Sequence, residues 1–164
     1  MYQPTIANGW IHQMTCPREL RIKENKLYQQ PVKELQQLRQ NPVYWQGLAN
    51  DVPDINEFSV ELEVELFGSL TIYFSDTLAL IIENNRAELK RRSVKNGEWQ
   101  SRFWFGDIKH LQILCDNSSV EIFFNNGAGV MSSRFFPSEK QAIRFLGKDT
   151  INLTTWQLKN ALPS

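Results

Sequence analysis

The stretch Phe58-Ser59-Val60-Glu61-Leu62-Glu63-Val64-Glu65-Leu66 decides the fold class. Phe58, Val60, Leu62, Val64 and Leu66 share one parity, and Ser59, Glu61, Glu63 and Glu65 share the other. Side chains alternate across a β-strand, so this pattern predicts a strand with one buried and one wet face. The acids Glu61, Glu63 and Glu65 are expected on the solvated face of an outer strand rather than in a metal or substrate site. The basic run Lys90-Arg91-Arg92 is expected to face water across from them, since opposite charges on neighbouring strands attract.

Downstream, short apolar runs recur at Leu70–Phe74, Leu78–Ile82, Ala87–Arg91, Arg102–Phe105, Leu111–Cys115, Val120–Phe124, Val130–Phe135, Ala142–Leu146 and Ile151–Leu158. Gly, Asn, Asp or Ser separates most of them, and Asn126-Gly127 is a hairpin signal. Many short strands at about 8–12-residue spacing predict an all-β protein, an antiparallel β-sandwich of jelly-roll or lectin-like type.

Upstream the pattern differs. Leu20–Tyr28 reads as a hairpin turning at Glu24-Asn25. Pro31 suits the first position of a helix, Val32, Leu35 and Leu38 give it one apolar stripe, and Asn41-Pro42 stops it. Residues 46–56 read as a loop or linker. The expected division is an N-terminal segment, 1–45, with a hairpin and a short helix, and a sandwich domain, 46–164.

The chain has 164 residues, enough for one domain with a real core, and equal numbers of acidic and basic residues. Zero net charge offers no field for nucleic acid or an anionic membrane, and no apolar run approaches the roughly 20 residues of a bilayer span. No signal peptide is visible and the two cysteines, Cys16 and Cys115, form no disulfide framework, so a cytoplasmic protein with reduced thiols is expected.

Candidate chemistry is sparse. His12 with Cys16 and His110 with Cys115 supply zinc-type ligands, but the two halves are far apart in sequence, and Cys115 shares parity with Leu111 and Ile113. Ordinary core thiols are the expectation, with no metal and no cofactor. There is no Gly-x-Ser-x-Gly turn, and no glycine-rich phosphate loop; Gly127 and Gly129 belong to a hairpin tip. Asp116 and Glu121 stand five residues apart, about 16 Å along one strand and on opposite faces, too far for a glycosidase pair unless a turn at Asn117–Ser119 intervenes. Glu121 is then an outward position beside buried Val120 and Ile122. Trp99, Trp104 and Trp156 are candidate stacking platforms for sugar, though aromatics in β-proteins mostly pack in the core. Trp104 alternates with Phe103 and Phe105, so one of those faces must be partly exposed or covered by another element.

Two sets of residues resemble a known family. Gly9-Trp10, Met14-Thr15, Pro17-Arg18-Glu19-Leu20, Leu27-Tyr28-Gln29, Pro31-Val32, Glu34-Leu35 and Leu38-Arg39 resemble the end of the propeller in glycoside hydrolase family 32, the family of invertases and sucrose-6-phosphate hydrolases. Asp116, Ser118-Ser119-Val120-Glu121-Ile122-Phe123, Asn126-Gly127, Val130-Met131, Ser133-Arg134 and Phe136-Pro137 resemble the signature of that family's C-terminal β-sandwich. The sequence departs from the family's habit at Cys16, Cys115 and Ala128-Gly129, without disturbing strand or turn.

The resemblance implies a five-bladed catalytic propeller ahead of this region. Its acidic residues lie in Asn-Asp-Pro-Asn-like, Arg-Asp-Pro and Glu-Cys motifs, none of which occurs in this sequence. No catalytic, cofactor-binding or metal-binding residue is therefore carried over. The implied role is a non-catalytic module that packs against the propeller of a fructoside hydrolase and stabilises it. Carbohydrate binding and self-association are the alternatives, the latter through an apolar N-terminal surface at Trp10, Ile11 and Leu20.

Overall fold

The computed structural model describes residues 6, 9, 13–57, 59–137 and 141–159. Among these, thirteen strands form, all paired antiparallel. They are β1 (Arg18–Lys23), β2 (Lys26–Pro31), β3 (Arg39–Leu48), β4 (Val60–Leu66), β5 (Leu70–Ser75), β6 (Leu78–Glu83), β7 (Arg86–Arg92), β8 (Trp99–Phe105), β9 (His110–Asp116), β10 (Ser119–Phe124), β11 (Gly129–Arg134), β12 (Arg144–Leu146) and β13 (Thr150–Leu158). A six-stranded sheet in the order β11-β10-β9-β4-β13-β3 packs on a five-stranded sheet in the order β12-β5-β6-β7-β8. β1 and β2 form a separate two-stranded hairpin. The result is the expected all-β sandwich.

The core lies between the two large sheets. Val60, Leu62, Val64 and Leu66 of β4 point into it and are 1, 0, 0 and 3% exposed. Leu111 and Ile113 of β9 and Val120 and Ile122 of β10 extend that row, each fully buried. Leu80 and Leu89 answer them from the opposite sheet. Each such side chain contributes roughly 1.5–3 kcal/mol of transfer free energy, so the shared parity of these residues fixes the sandwich. Cys115 belongs to the same buried set.

Two hairpins show why the turns lie where they do. Glu24-Asn25 and Asn84-Asn85 each occupy the left-handed region at both residues, with φ of 50 and 58° and of 50 and 57°. That geometry matches the twist of the flanking strands, and Asn enters it at low cost.

Residues 31–56 depart from the expectation. Pro31 ends β2, opposite Arg18, instead of opening a helix. Lys33–Leu38 is a 3-10 helix, not an α-helix. The reason was in the spacing: Val32, Leu35 and Leu38 recur every three residues, which is the 3-10 period and not 3.6. Asn41-Pro42 does not stop an element but sits inside β3. Opposite them β13 supplies only Trp156, between the pairs Gln40–Gln157 and Val43–Thr155. Two residues against one make a β-bulge, and Asn41 takes the left-handed φ of 49° there. Because β3 is an edge strand, the missing Pro42 N–H removes no ladder bond from a second neighbour. Gln46-Gly47-Leu48 completes β3, a short 3-10 turn follows at Ala49–Asp51, and Ile55 bridges Ile143. The break expected at 45/46 thus falls within a strand.

The charged rows differ as well. β4 is an interior strand of its sheet, not an outer one. Lys90-Arg91-Arg92 lies on β7 in the other sheet, paired with β6 and β8, so it does not face the glutamates.

Candidate functional site

The face of the six-stranded sheet turned away from the core carries most of the polar structure. β4 presents Glu61, Glu63 and Glu65 there. Glu61 is nonetheless only 2% exposed. Arg39, at the start of β3, explains this. Its Nε and one terminal nitrogen each donate to Glu61 at 2.7 Å, and that terminal nitrogen also donates to Glu63 at 2.7 Å. Gln112 of β9 donates to Glu61 at 2.7 Å from the other side. The guanidinium lies 4.0 Å from the ring centroid of Trp156, the residue opposite the bulge. The hydrogen bonds to Glu61 and Glu63 hold the Arg39 guanidinium above its ordinary value. Glu65 accepts from Asn152 at 3.0 Å and remains exposed. A row expected to be solvated is therefore two-thirds engaged in a planar, bidentate ion pair.

A second node lies two strands away. Glu121 accepts from Arg18 at 2.6 Å and from the Cys16 backbone N–H at 2.7 Å, and the Cys16 thiol lies 3.5 Å from it. Arg18 also donates to Ser132 at 3.0 Å and to Gln29 at 3.2 Å, and it covers the ring of Phe123 at 5.2 Å. Phe123 points away from the core yet is fully buried, because the N-terminal segment closes over it. Burial first, then the Glu121 charge, pushes the Cys16 thiol up to about 12. Burial does the same to Cys115, also to about 12. Neither cysteine is in a disulfide.

Residues 13–39 are thus a third layer on this sheet face. Gln29 N–H donates to the Gly127 carbonyl at 3.0 Å, which ties the hairpin to the β10–β11 tip. A Cβ on Gly127 would strike the Gln29 backbone, so close approach and a φ of 89° both require glycine there. Along β1 and β2, Arg18, Leu20, Ile22, Leu27 and Gln29 share one face by alternation and register. Its root, Arg18 and Gln29, is bonded to the sandwich. Its tip, Leu20, Ile22 and Leu27, is bare, 62, 81 and 51% exposed.

The structure places the other candidates as follows. Asp116 and Glu121 share the outer face, since the turn after β9 reverses the parity argument. Each is engaged with a different partner: Asp116 accepts from the Asn117 N–H at 2.8 Å, while Glu121 is held by Arg18. His110 and Cys115 lie at opposite ends of β9 and on opposite faces. His12, Trp10 and Ile11 lie outside the described residues. Among the described residues no cluster of three or more His, Cys, Asp or Glu is arranged to hold a metal ion, and no helix is long and apolar enough to cross a membrane. The three tryptophans do not form one platform. Trp104 stacks on Phe124 in the interior with centroids 4.8 Å apart. Trp156 is under Arg39, and Trp99 is half exposed beside Lys90 and Arg92. Phe103 and Phe105 take the open side of β8. Arg18 and Arg39 were not singled out from the sequence as ion-pair partners; a row of acids gives no sign of which distant cation will reach it.

Comparison with known proteins decides the family. The family model for the C-terminal region of glycosyl hydrolases family 32 matches residues 52–157. The chain belongs to that family. Sucrose-6-phosphate hydrolases of Salmonella typhimurium and Klebsiella pneumoniae are similar to it at 39% identity over 162 residues and 40% over 159. These matches cover 99 and 97% of this chain but 34% of each relative, so the family 32 chain described here spans about a third of their length. A solved sucrose-6-phosphate hydrolase from Lactobacillus gasseri shares the fold over 98% of this chain and 37% of its own, with a TM-score of 0.82 and 23% identity. A Bombyx mori family 32 β-fructofuranosidase shares it with a TM-score of 0.64, over 92% of this chain and 34% of its own, at 21% identity.

Proposed function

We propose that this chain works as the non-catalytic C-terminal sandwich of a cytoplasmic sucrose-6-phosphate hydrolase, holding the hairpin β1–β2 in place against a catalytic propeller. The observation that carries this reading is the hairpin itself. A lone two-stranded sheet is marginal in water. This one is anchored at its root by Arg18–Glu121 and Gln29–Gly127, and it leaves an apolar tip uncovered. A face divided in that way suits a strand pair that completes a larger sheet. The similar hydrolases have the additional length to supply one. The acidic residues of the parent reaction would then belong to the propeller, and the carboxylates Glu61, Glu63 and Glu121 to the packing of the third layer.

Two measurements test this. The purified chain is expected to release no glucose or fructose from sucrose or sucrose 6-phosphate; turnover that follows the chain through purification overturns the non-catalytic reading. Supplied in trans, the chain is expected to raise the yield of soluble, active Salmonella typhimurium enzyme from a gene lacking its last third. No association by light scattering would refute the packing role.

A further inference from the structure

At the end of the sandwich where β4 turns into β5, three connections surround an open cleft of about 940 Å³. They are Phe67–Ser69, the Asn84-Asn85 turn and the segment from Gly106 to Lys109 that leads into β9. This volume is at the upper end of the range for small-molecule sites. The cleft is independent of the hairpin and of the two arginine nodes.

Its chemistry has two halves. Leu66, Ile82 and Ile108 form an apolar base, and Phe67 stands at the cleft with 68% of its surface exposed. An exposed phenyl ring at a concave site has no role in the core. Facing these are the carboxylates of Glu65, Glu83 and Asp107 and the side-chain amides of Asn84 and Asn85. His110 also lines the cleft, and its Nδ1 is buried with no hydrogen-bond partner among the described residues.

The backbone of the cleft is fixed independently of any ligand. Asp149 accepts from the Ser69 N–H at 2.7 Å and from its hydroxyl at 3.0 Å, and a Cβ on Gly68 would strike that carboxylate. Asn125 accepts from the N–H groups of Lys109 and His110 at 3.0 and 3.2 Å, and it donates to the Asp107 carbonyl at 2.6 Å. A site built this way is preorganised, so binding costs little ordering of loops.

We infer that this cleft is a binding site for an uncharged oligosaccharide. Sugar rings present apolar C–H faces that stack on an aromatic ring, and hydroxyls that donate to carboxylates and accept from amides. The cleft offers both halves side by side. Glu83 is paired with Arg86 at 3.1 Å and Asp107 with Lys109 at 2.9 Å, while Glu65 accepts from the neutral Asn152, so no cation among the described lining residues is left over for phosphorylated sugars and other anions. The site would hold a chain end or a substrate branch on the enzyme without touching the reacting bond.

The test is a titration of the isotope-labelled 164-residue chain with 1-kestose and with maltotriose, read as backbone amide shifts. Saturable shifts confined to Gly68, Ser69, Asn84, Asn85 and Asp107 are expected with at least one of them. Phe67→Ala, at an exposed position, is expected to weaken that binding about tenfold, the scale of one aromatic contact. Trp99→Ala, on β8, is expected to leave it unchanged. Three results overturn the inference: no shift with either sugar at about 20 mM, a loss that follows Trp99 instead of Phe67, or the same shifts with calcium alone and none with sugar. A failure of the in trans assembly leaves this readout unaffected, so the two readings fall separately.

Discussion

Replacing Arg39 by methionine removes the cation bonded to Glu61 while keeping an apolar stem over Trp156. Glu61 is 2% exposed and loses two charge-assisted bonds at 2.7 Å, retaining one from Gln112. Stripping one partner from a buried pair costs about 3–5 kcal/mol, because the remaining charge stays desolvated. A domain of this size has about 5–15 kcal/mol in total, and each kcal/mol moves the melting midpoint by about 2–4 °C, so a fall of about 10 °C is expected. The decisive assay is a double-mutant cycle by urea denaturation. Arg39→Met with Glu61→Leu should recover most of the loss, since removing both charges also removes the unpaired one. Glu63 does not interfere, being about a third exposed and served by water when Arg39 is absent. A single variant that loses under about 1 kcal/mol, or a double variant no better than the single, would refute the view that Arg39 exists to neutralise a buried glutamate.

Other outcomes follow from the same contacts. Both thiols have their folded-state values raised from 9.0 to about 12, so the folded chain keeps protons that the unfolded chain gives up. The thiols' contribution to stability is therefore constant below pH 9 and is lost between about 9 and 12, and neither cysteine should react with a thiol reagent at pH 8 until the chain unfolds. Gly127→Ala combines a left-handed φ with a clash against the Gln29 backbone and should cost about 1–3 kcal/mol by urea midpoint. Ile22→Asp, at an 81% exposed position, should change this chain's stability by less than about 0.5 kcal/mol, yet weaken association with the truncated hydrolase at least tenfold. Equal affinity of that variant and the parent chain would remove the hairpin tip from the interface.

The sandwich was legible because its strands are long, alternating and punctuated by Asn and Gly. Val60–Leu66 and Leu111–Cys115 could hardly have been read otherwise, and the structure puts both in the core sheet. The region 31–56 was not, because two local signals mean different things in different neighbourhoods. Asn41-Pro42 ends a helix in isolation, but on an edge strand opposite a bulge it is allowed, and only the pairing with β13 shows which case holds. The outer-face ion pairs were illegible for a related reason. Parity shows that Glu61 and Glu121 point away from the core, but says nothing of a third layer arriving from residues 13–39 to bury them. The resemblance to family 32 pointed to the same residues, Arg18 and Arg39 among them, without saying that they are the counter-ions.

The third layer also sets where the domain can be cut. The family match begins at residue 52, yet both arginines that neutralise its outer-face carboxylates Glu61 and Glu121, and the whole of edge strand β3, lie before that point. A fragment trimmed to the matched segment would leave β13 as a new raw edge, Phe123 without its lid, and Glu61 and Glu121 without counter-ions. The smallest piece able to fold alone is longer than the recognisable domain, because its charge neutrality is borrowed from the chain that leads into it.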